Sequence, residues 1–165
     1  MTVPVVAYVG LGGNLGEVAA TLRAATDALA CLPGTRLLRA SRLYRTPAWG
    51  LEQQPDFING AVALETRLDP RELLDALLGI ERDFGRQREG GPRWGPRTLD
   101  LDLLLHGDAL LEQDGLRLPH PHLHERAFAL VPLIEIAADI LIPGQGSARD
   151  ALSRLEAAAI EAIEG

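Results

Sequence analysis

The sequence predicts an α+β fold with helices packed on a mostly antiparallel sheet, and three observations carry that prediction. Strand-like apolar stretches recur at 3–9, 37–45, 57–66 and 99–105. Two segments with apolar residues at steps of three and four, 18–32 and 73–84, follow the first and third of these. The resulting order, strand, helix, strand, strand, helix, strand, is the split strand–helix–strand pattern of a ferredoxin-like sandwich. At 165 residues, 47% hydrophobic and 24% charged, the whole chain 1–165 reads as a single domain around one core.

The first strand, Val3 to Val9, is rich in valine and ends at glycines, as a buried strand does. Gly10 to Asn14 reads as a turn. Val18, Leu22, Ala25, Leu29 and Leu32 then form an amphipathic helix stopped by Pro33-Gly34. Leu37 to Arg45 is the second strand, closed by Thr46-Pro47, and a polar loop with Trp49 follows. In the third strand Ile58, Val62 and Leu64 share one face, and Phe57, Asn59 and Ala61 share the other. Asp69-Pro70-Arg71-Glu72 starts a helix: an Asp cap, proline at the first position, and an acid three residues after the cap. Leu73, Leu77, Ile80 and Phe84 carry that helix to Gly85, a C-terminal cap. Residues 85–97 hold four glycines, two prolines and four arginines, a flexible basic loop that reads as a lid. After the fourth strand come a proline–histidine turn at 119–124, an apolar segment from Ala127 to Ala138, and a helix capped at Ser147 with Asp150 three on. Helices on one face of the sheet would leave the other face for function.

The net charge of -7 argues against a general nucleic-acid binder and against a binder of anionic membranes. A lone cysteine, Cys31, forms no internal disulfide and no cysteine zinc site, and no stretch approaches the ~20 apolar residues of a membrane span. A cytoplasmic location is expected. All 16 basic residues are arginine. Phosphate loops, kinase strands and Schiff bases that need lysine are thereby excluded, so a bound anion must meet arginine forks, histidine, backbone N–H groups or a metal.

Gly10-Leu11-Gly12-Gly13-Asn14-Leu15-Gly16 follows a strand and precedes a helix, yet it lacks the third glycine of a dinucleotide fingerprint and the acid about 20 residues on. A structural turn is the better reading, with backbone contacts to a ligand possible in addition. Thr98-Leu99-Asp100-Leu101-Asp102-Leu103 is sharper. Residues two apart on a strand project from one face, about 6.6–7 Å apart along the chain. Asp100 and Asp102 therefore point together, away from the leucines. Such a pair either faces solvent or holds a hard cation such as Mg²⁺. Arg86, Arg88, Arg93 and Arg97 lie just before it, and forked cations beside metal-bound carboxylates suit a polyphosphate. Phe57 and Asn59 on one strand face could stack on and hydrogen-bond a flat heterocycle, although a strand Phe can equally be packing. His120, His122 and His124 alternate, but Pro121 and the absent fourth ligand speak against zinc.

The stretch from Arg93 to Asp102, Arg-Trp-Gly-Pro-Arg-Thr-Leu-Asp-Leu-Asp, resembles the signature of the 6-hydroxymethyl-7,8-dihydropterin pyrophosphokinases. Tyr44-Arg45-Thr46-Pro47, Gln54-Pro55-Asp56-Phe57-Ile58-Asn59, Pro119-His120 and Arg126-Ala127-Phe128 agree with it in order and spacing. The resemblance implies pyrophosphoryl transfer from MgATP to the pterin, with AMP released, on a ferredoxin-like α+β fold, and no protein partner. It implies that Asp100 and Asp102 hold two Mg²⁺ ions and that Arg86 and Arg97 neutralise the transferring group. Phe57 and Phe128 would sandwich the pterin, Asn59 would hydrogen-bond its edge, and Thr46 and Pro47 would complete the pocket. His120 and Arg126 would contact phosphates of ATP, and Glu81, Arg88 and Trp94 would line the nucleotide side. Two departures from the family pattern stand out: Gly13 where a serine is usual, and Glu89-Gly90-Gly91 where relatives often place a lysine.

Overall fold

In chain order the elements are β1 (Val5–Gly13), α1 (Val18–Ala30), β2 (Thr35–Ala40), β3 (Leu43–Thr46), β4 (Phe57–Thr66), α2 (Pro70–Asp83), β5 (Asp100–His106), the hairpin β6 (Leu111–Gln113) and β7 (Leu116–Leu118), α3 (Ala127–Ile136), the hairpin β8 (Leu141–Ile142) and β9 (Gly146–Ser147), α4 (Ala148–Ser153) and β10 (Glu161–Ile163). The computed structural model describes residues 3–47, 56–85 and 99–163. β1 is central, with β5 antiparallel on one side and β4 antiparallel on the other. β2 and β3 both pair with β4, and β10 closes the far edge on β3. Counting β2 and β3 as one interrupted strand, the four main strands take the antiparallel order expected of the ferredoxin-like pattern. No helix among the described residues is long and apolar enough to cross a membrane.

One face of the sheet is built as the alternation predicts. Ala7, Val9 and Leu11 of β1, Val62 and Leu64 of β4, and Leu101 and Leu103 of β5 point together onto α1 and α2. α1 meets them with Val18, Leu22, Ala25 and Leu29. α2 begins with the predicted reciprocal cap: Asp69 accepts the Glu72 N–H at 2.8 Å, and Glu72 accepts the Asp69 N–H at 2.9 Å. Its Leu73, Leu77 and Ile80 are buried.

The structure corrects the sequence expectation in four places. Gly10 to Gly13 are not a turn: they continue β1, with Gly10 opposite both Asp102 and Ala61 and Gly12 opposite both Asp100 and Asn59. The second strand is broken at Ser41, whose N–H bonds the Ala61 carbonyl and whose hydroxyl accepts the Ala61 N–H, a side-chain substitute for one rung of the ladder. β5 carries an extra residue, since Val9 pairs with Leu103 but Tyr8 with Leu105, so Leu104 and Leu105 both join the second-face cluster. That second face is not free. Ala61 and Ala63 are small enough for α3 to lie close on β4, with Ile136 packed against them, and α4 packs on α3. Among the described residues, the end of this face nearest Phe57, Asp100 and Asp102 is left uncovered. The sequence pattern carried no sign of β10.

α3 is tied to β3 through Glu135. Its carboxylate accepts the Arg42 N–H at 3.0 Å, the Arg42 Nε–H at 3.2 Å and the Tyr44 hydroxyl. Burial by itself would raise the Glu135 pKa, but the bonds from Tyr44 and Arg42 outweigh it and hold the carboxyl below its ordinary value. A lowered folded-state pKa contributes stability that is present above the ordinary carboxylate range and is lost as pH falls through the folded value. Glu135→Gln should therefore cost about 1–3 kcal/mol at neutral pH, and its melting curve should converge with that of the parent in acid. Parallel melting temperatures across pH 3–7 would show that the charge carries no weight.

Candidate active site

Burial of Leu101 and Leu103 on the first face forces Asp100 and Asp102 to the second, as the spacing predicted. Across β1 they meet no side chain: their partners are Gly12 and Gly10. Beyond Gly12, on β4, stands Asn59, and beyond Asn59, on β3, stands Tyr44. Phe57 pairs with Thr46 one step further out. The start of α3 then overhangs this surface with Phe128, whose ring lies 5.7 Å from the Arg126 guanidinium carbon. The result is a cleft of about 370 Å³, within the ordinary range for a small-molecule site.

Of the residues singled out in the sequence, Thr46, Pro47, Phe57, Asn59, Asp100, Asp102, Arg126 and Phe128 all line this cleft. Two aromatic rings and an amide occupy one end, and two carboxylates the other. The Thr46 hydroxyl is buried without a hydrogen-bond partner among the described residues, a polar atom that a ligand edge could satisfy after a small adjustment. Arg86, Arg88, Trp94 and Arg97 lie outside the described residues.

Two expected residues fall elsewhere. Glu81 is only 3% exposed, and its Oε2 accepts the Leu101 N–H at 2.7 Å, so it does not line the cleft. His120 borders a neighbouring shallow groove with Arg117 and His124. Its Nδ1 accepts the His122 N–H at 3.2 Å, which leaves the ring proton on Nε2. Burial, then the charges of Arg126 and His122, push its pKa down to about 4. The ring is thus a neutral donor near pH 7, not a cation. His122 and His124 turn toward Glu125, at 3.7 and 3.4 Å, rather than toward a common metal.

Sequence reasoning missed the cleft floor. A Cβ on Gly12 would stand 2.4 Å from Asn59 Oδ1, so glycine here leaves the Asn59 amide its place. One on Gly10 would only touch Leu104, at 3.5 Å. The signal was present as period-two spacing continued past Val9, but the glycines masked it as a turn.

Comparison with known proteins identifies the family. The family model described as 7,8-dihydro-6-hydroxymethylpterin-pyrophosphokinase matches residues 8–138. The chain belongs to that family. It is 48% identical over 158 residues to the 2-amino-4-hydroxy-6-hydroxymethyldihydropteridine pyrophosphokinase of Methylorubrum extorquens, covering 96% of this chain and 98% of the relative. The Pseudomonas aeruginosa enzyme of the same name is 46% identical, covering 96% of each. Among solved structures, the Plasmodium falciparum HPPK-DHPS A437G variant with STZ-DHP superposes with a TM-score of 0.72 at 14% identity, over 93% of this chain. That likeness shows the shared α+β fold, and the present chain spans 46% of that longer one. For a pyrophosphokinase of this family the cleft floor makes a specific demand. Gly12→Ala should displace the Asn59 amide and weaken pterin binding at least about tenfold, or ~1.4 kcal/mol, while Gly10→Ala weakens it less. Equal pterin affinity in a folded Gly12→Ala protein, measured by calorimetry, would show that Asn59 is not held by the bare backbone.

His120 makes a second demand. A histidine pKa lowered on folding contributes stability that is whole above about 6.5 and declines as pH falls toward 4. His120→Gln should flatten the pH dependence of the melting temperature across that window. An unchanged slope would mean that the ring titrates as in the unfolded chain.

Proposed function

We propose that the cleft over Gly10 and Gly12 binds ATP and 6-hydroxymethyl-7,8-dihydropterin together and passes the terminal pyrophosphoryl group to the pterin hydroxymethyl oxygen. Members of this family make the pterin diphosphate of folate biosynthesis by that transfer, and the other product is AMP. The observation that carries the assignment of the cleft is its polarity: an amide with two aromatic rings at one end, two carboxylates at the other, joined by a floor without side chains.

The pterin end follows from side-chain chemistry. Phe57 and Phe128 offer ring faces for stacking, and the Asn59 amide offers a donor and an acceptor to one heterocycle edge. Thr46 and Pro47 close the wall beside it. At the other end, two carboxylates leave most of the coordination of a hard cation to water and phosphate oxygens, which is how Mg²⁺ is ordinarily held. Among the described residues no third His, Cys, Asp or Glu joins them. The pair fits Mg²⁺, and we assign two ions to it. Bound there, Mg²⁺ offsets charge on the phosphates.

The chain's own groups do the rest by position and charge. Arg126, held over Phe128, brings a forked cation to the cleft lining. His120, which borders the neighbouring groove, is assigned to a phosphate oxygen on the strength of the family motif, with Nε2–H as its donor. Arg86 and Arg97 belong to the transferring group and Arg88 and Trp94 to the nucleotide, on the strength of the family motif. Transfer to an alcohol needs alignment and charge neutralisation more than covalent help, so no nucleophilic side chain is required. This reading puts the reaction in the cytoplasm, with two small-molecule substrates and no protein partner.

Product analysis after incubation with MgATP and the pterin tests the reaction: AMP should appear in step with pterin diphosphate, and stoichiometric ADP would overturn it. Asp100→Asn or Asp102→Asn should slow turnover at least about a hundredfold, roughly 2.7 kcal/mol in the barrier, without loss of fold. Near-normal turnover in either folded variant would remove that carboxylate from the site.

A further inference from the structure

Glu81 occupies a costly place. It lies in the last turn of α2, where the helix dipole disfavours negative charge, and it is 3% exposed. A buried carboxylate is retained at a cost unless its hydrogen bonds are good ones. Its Oε2 takes the Leu101 N–H at 2.7 Å, a short bond. Leu101 is the residue between Asp100 and Asp102. Among the described residues β5 is an edge strand paired with β1 alone, and no further described strand orients the outward-facing N–H of Leu101.

We propose that Glu81 is a positioning residue for the carboxylate pair. Its bond to the Leu101 N–H fixes the Asp100–Leu101 peptide, the first of the two between the acids, and so their common direction over Gly10 and Gly12. Leu101 is held from both sides: its side chain sits in the first-face core and its N–H on α2. Rotation of that peptide would swing Asp100 relative to Asp102, and among the described residues no third His, Cys, Asp or Glu joins the pair to restore the spacing. Partners one step behind a metal ligand commonly act this way. The inference rests on the assignment of Asp100 and Asp102 as the metal pair.

The test separates reach from charge. Glu81→Gln keeps the acceptor at the same reach and removes the charge, whereas Glu81→Asp keeps the charge and shortens the reach by one methylene. Two quantities are read: exchange of the Leu101 amide relative to Leu103 in the metal-free protein, by NMR, and Mn²⁺ affinity in the presence of ATP. In Glu81→Asp the Leu101 amide should exchange faster and Mn²⁺ should bind roughly tenfold more weakly, while Glu81→Gln stays close to the parent in both. Parent-like Mn²⁺ affinity in Glu81→Asp, or a loss in Glu81→Gln, overturns the proposal. Mn²⁺ affinity in the parent that is insensitive to Asp100→Asn and Asp102→Asn would instead overturn the metal assignment itself.

Discussion

The site depends on the antiparallel register that sets Gly12 between Asp100 and Asn59. That register is fixed from the opposite face, where Leu101, Leu103, Val9, Leu11, Val62 and Leu64 are buried against α1 and α2. Because side chains alternate with period two, a slip of one residue would bury both acids and expose the leucines. The cost of such an exchange, several buried leucines at roughly 1.5–3 kcal/mol each, is far more than a domain of this size could absorb. Core packing on one face thereby holds the polar constellation on the other.

Given the register, the cleft is a matter of what is missing. β1 presents two glycines in succession to the second face, and the space of their absent side chains is bounded by Asp100, Asp102 and Asn59. The alanines of β4 serve a different purpose, admitting α3 close to the sheet and so bringing Phe128 and Arg126 over the opening. Glu135 then locks α3 to β3, the strand that supplies Thr46 and leads into Pro47. Two walls of the cleft are thus joined by one carboxylate outside it.

Much of this was legible in the sequence. The capping box of α2, the periodic face of α1 and the alternation of β4 are local signals, and local energetics decide them. The acids of β5 were legible because the flanking leucines leave them one direction. What escaped the sequence is set by contacts between distant segments. Glycines at the end of a valine-rich run read as a turn, since glycine's low strand propensity is locally decisive, and only the neighbouring strands show that a Cβ on Gly12 would displace the Asn59 amide. The covering of the second face by α3 depends on the small size of Ala61 and Ala63, which alternation alone does not flag. Glu81 was expected to line the nucleotide side, and only its depth behind β5, on the Leu101 N–H, shows its place in the fold.

The central claim is that metal and pterin ends share one cleft, separated by the width of β1. Paramagnetic relaxation measures this directly, with Mn²⁺ and a non-hydrolysable ATP analogue bound to the full chain. The side-chain amide of Asn59 and the ring of Phe128 should broaden strongly, while Leu77, on the far side of the sheet, stays sharp. Sharp Asn59 and Phe128 signals with broadening elsewhere would place the metal outside the cleft and contradict the account.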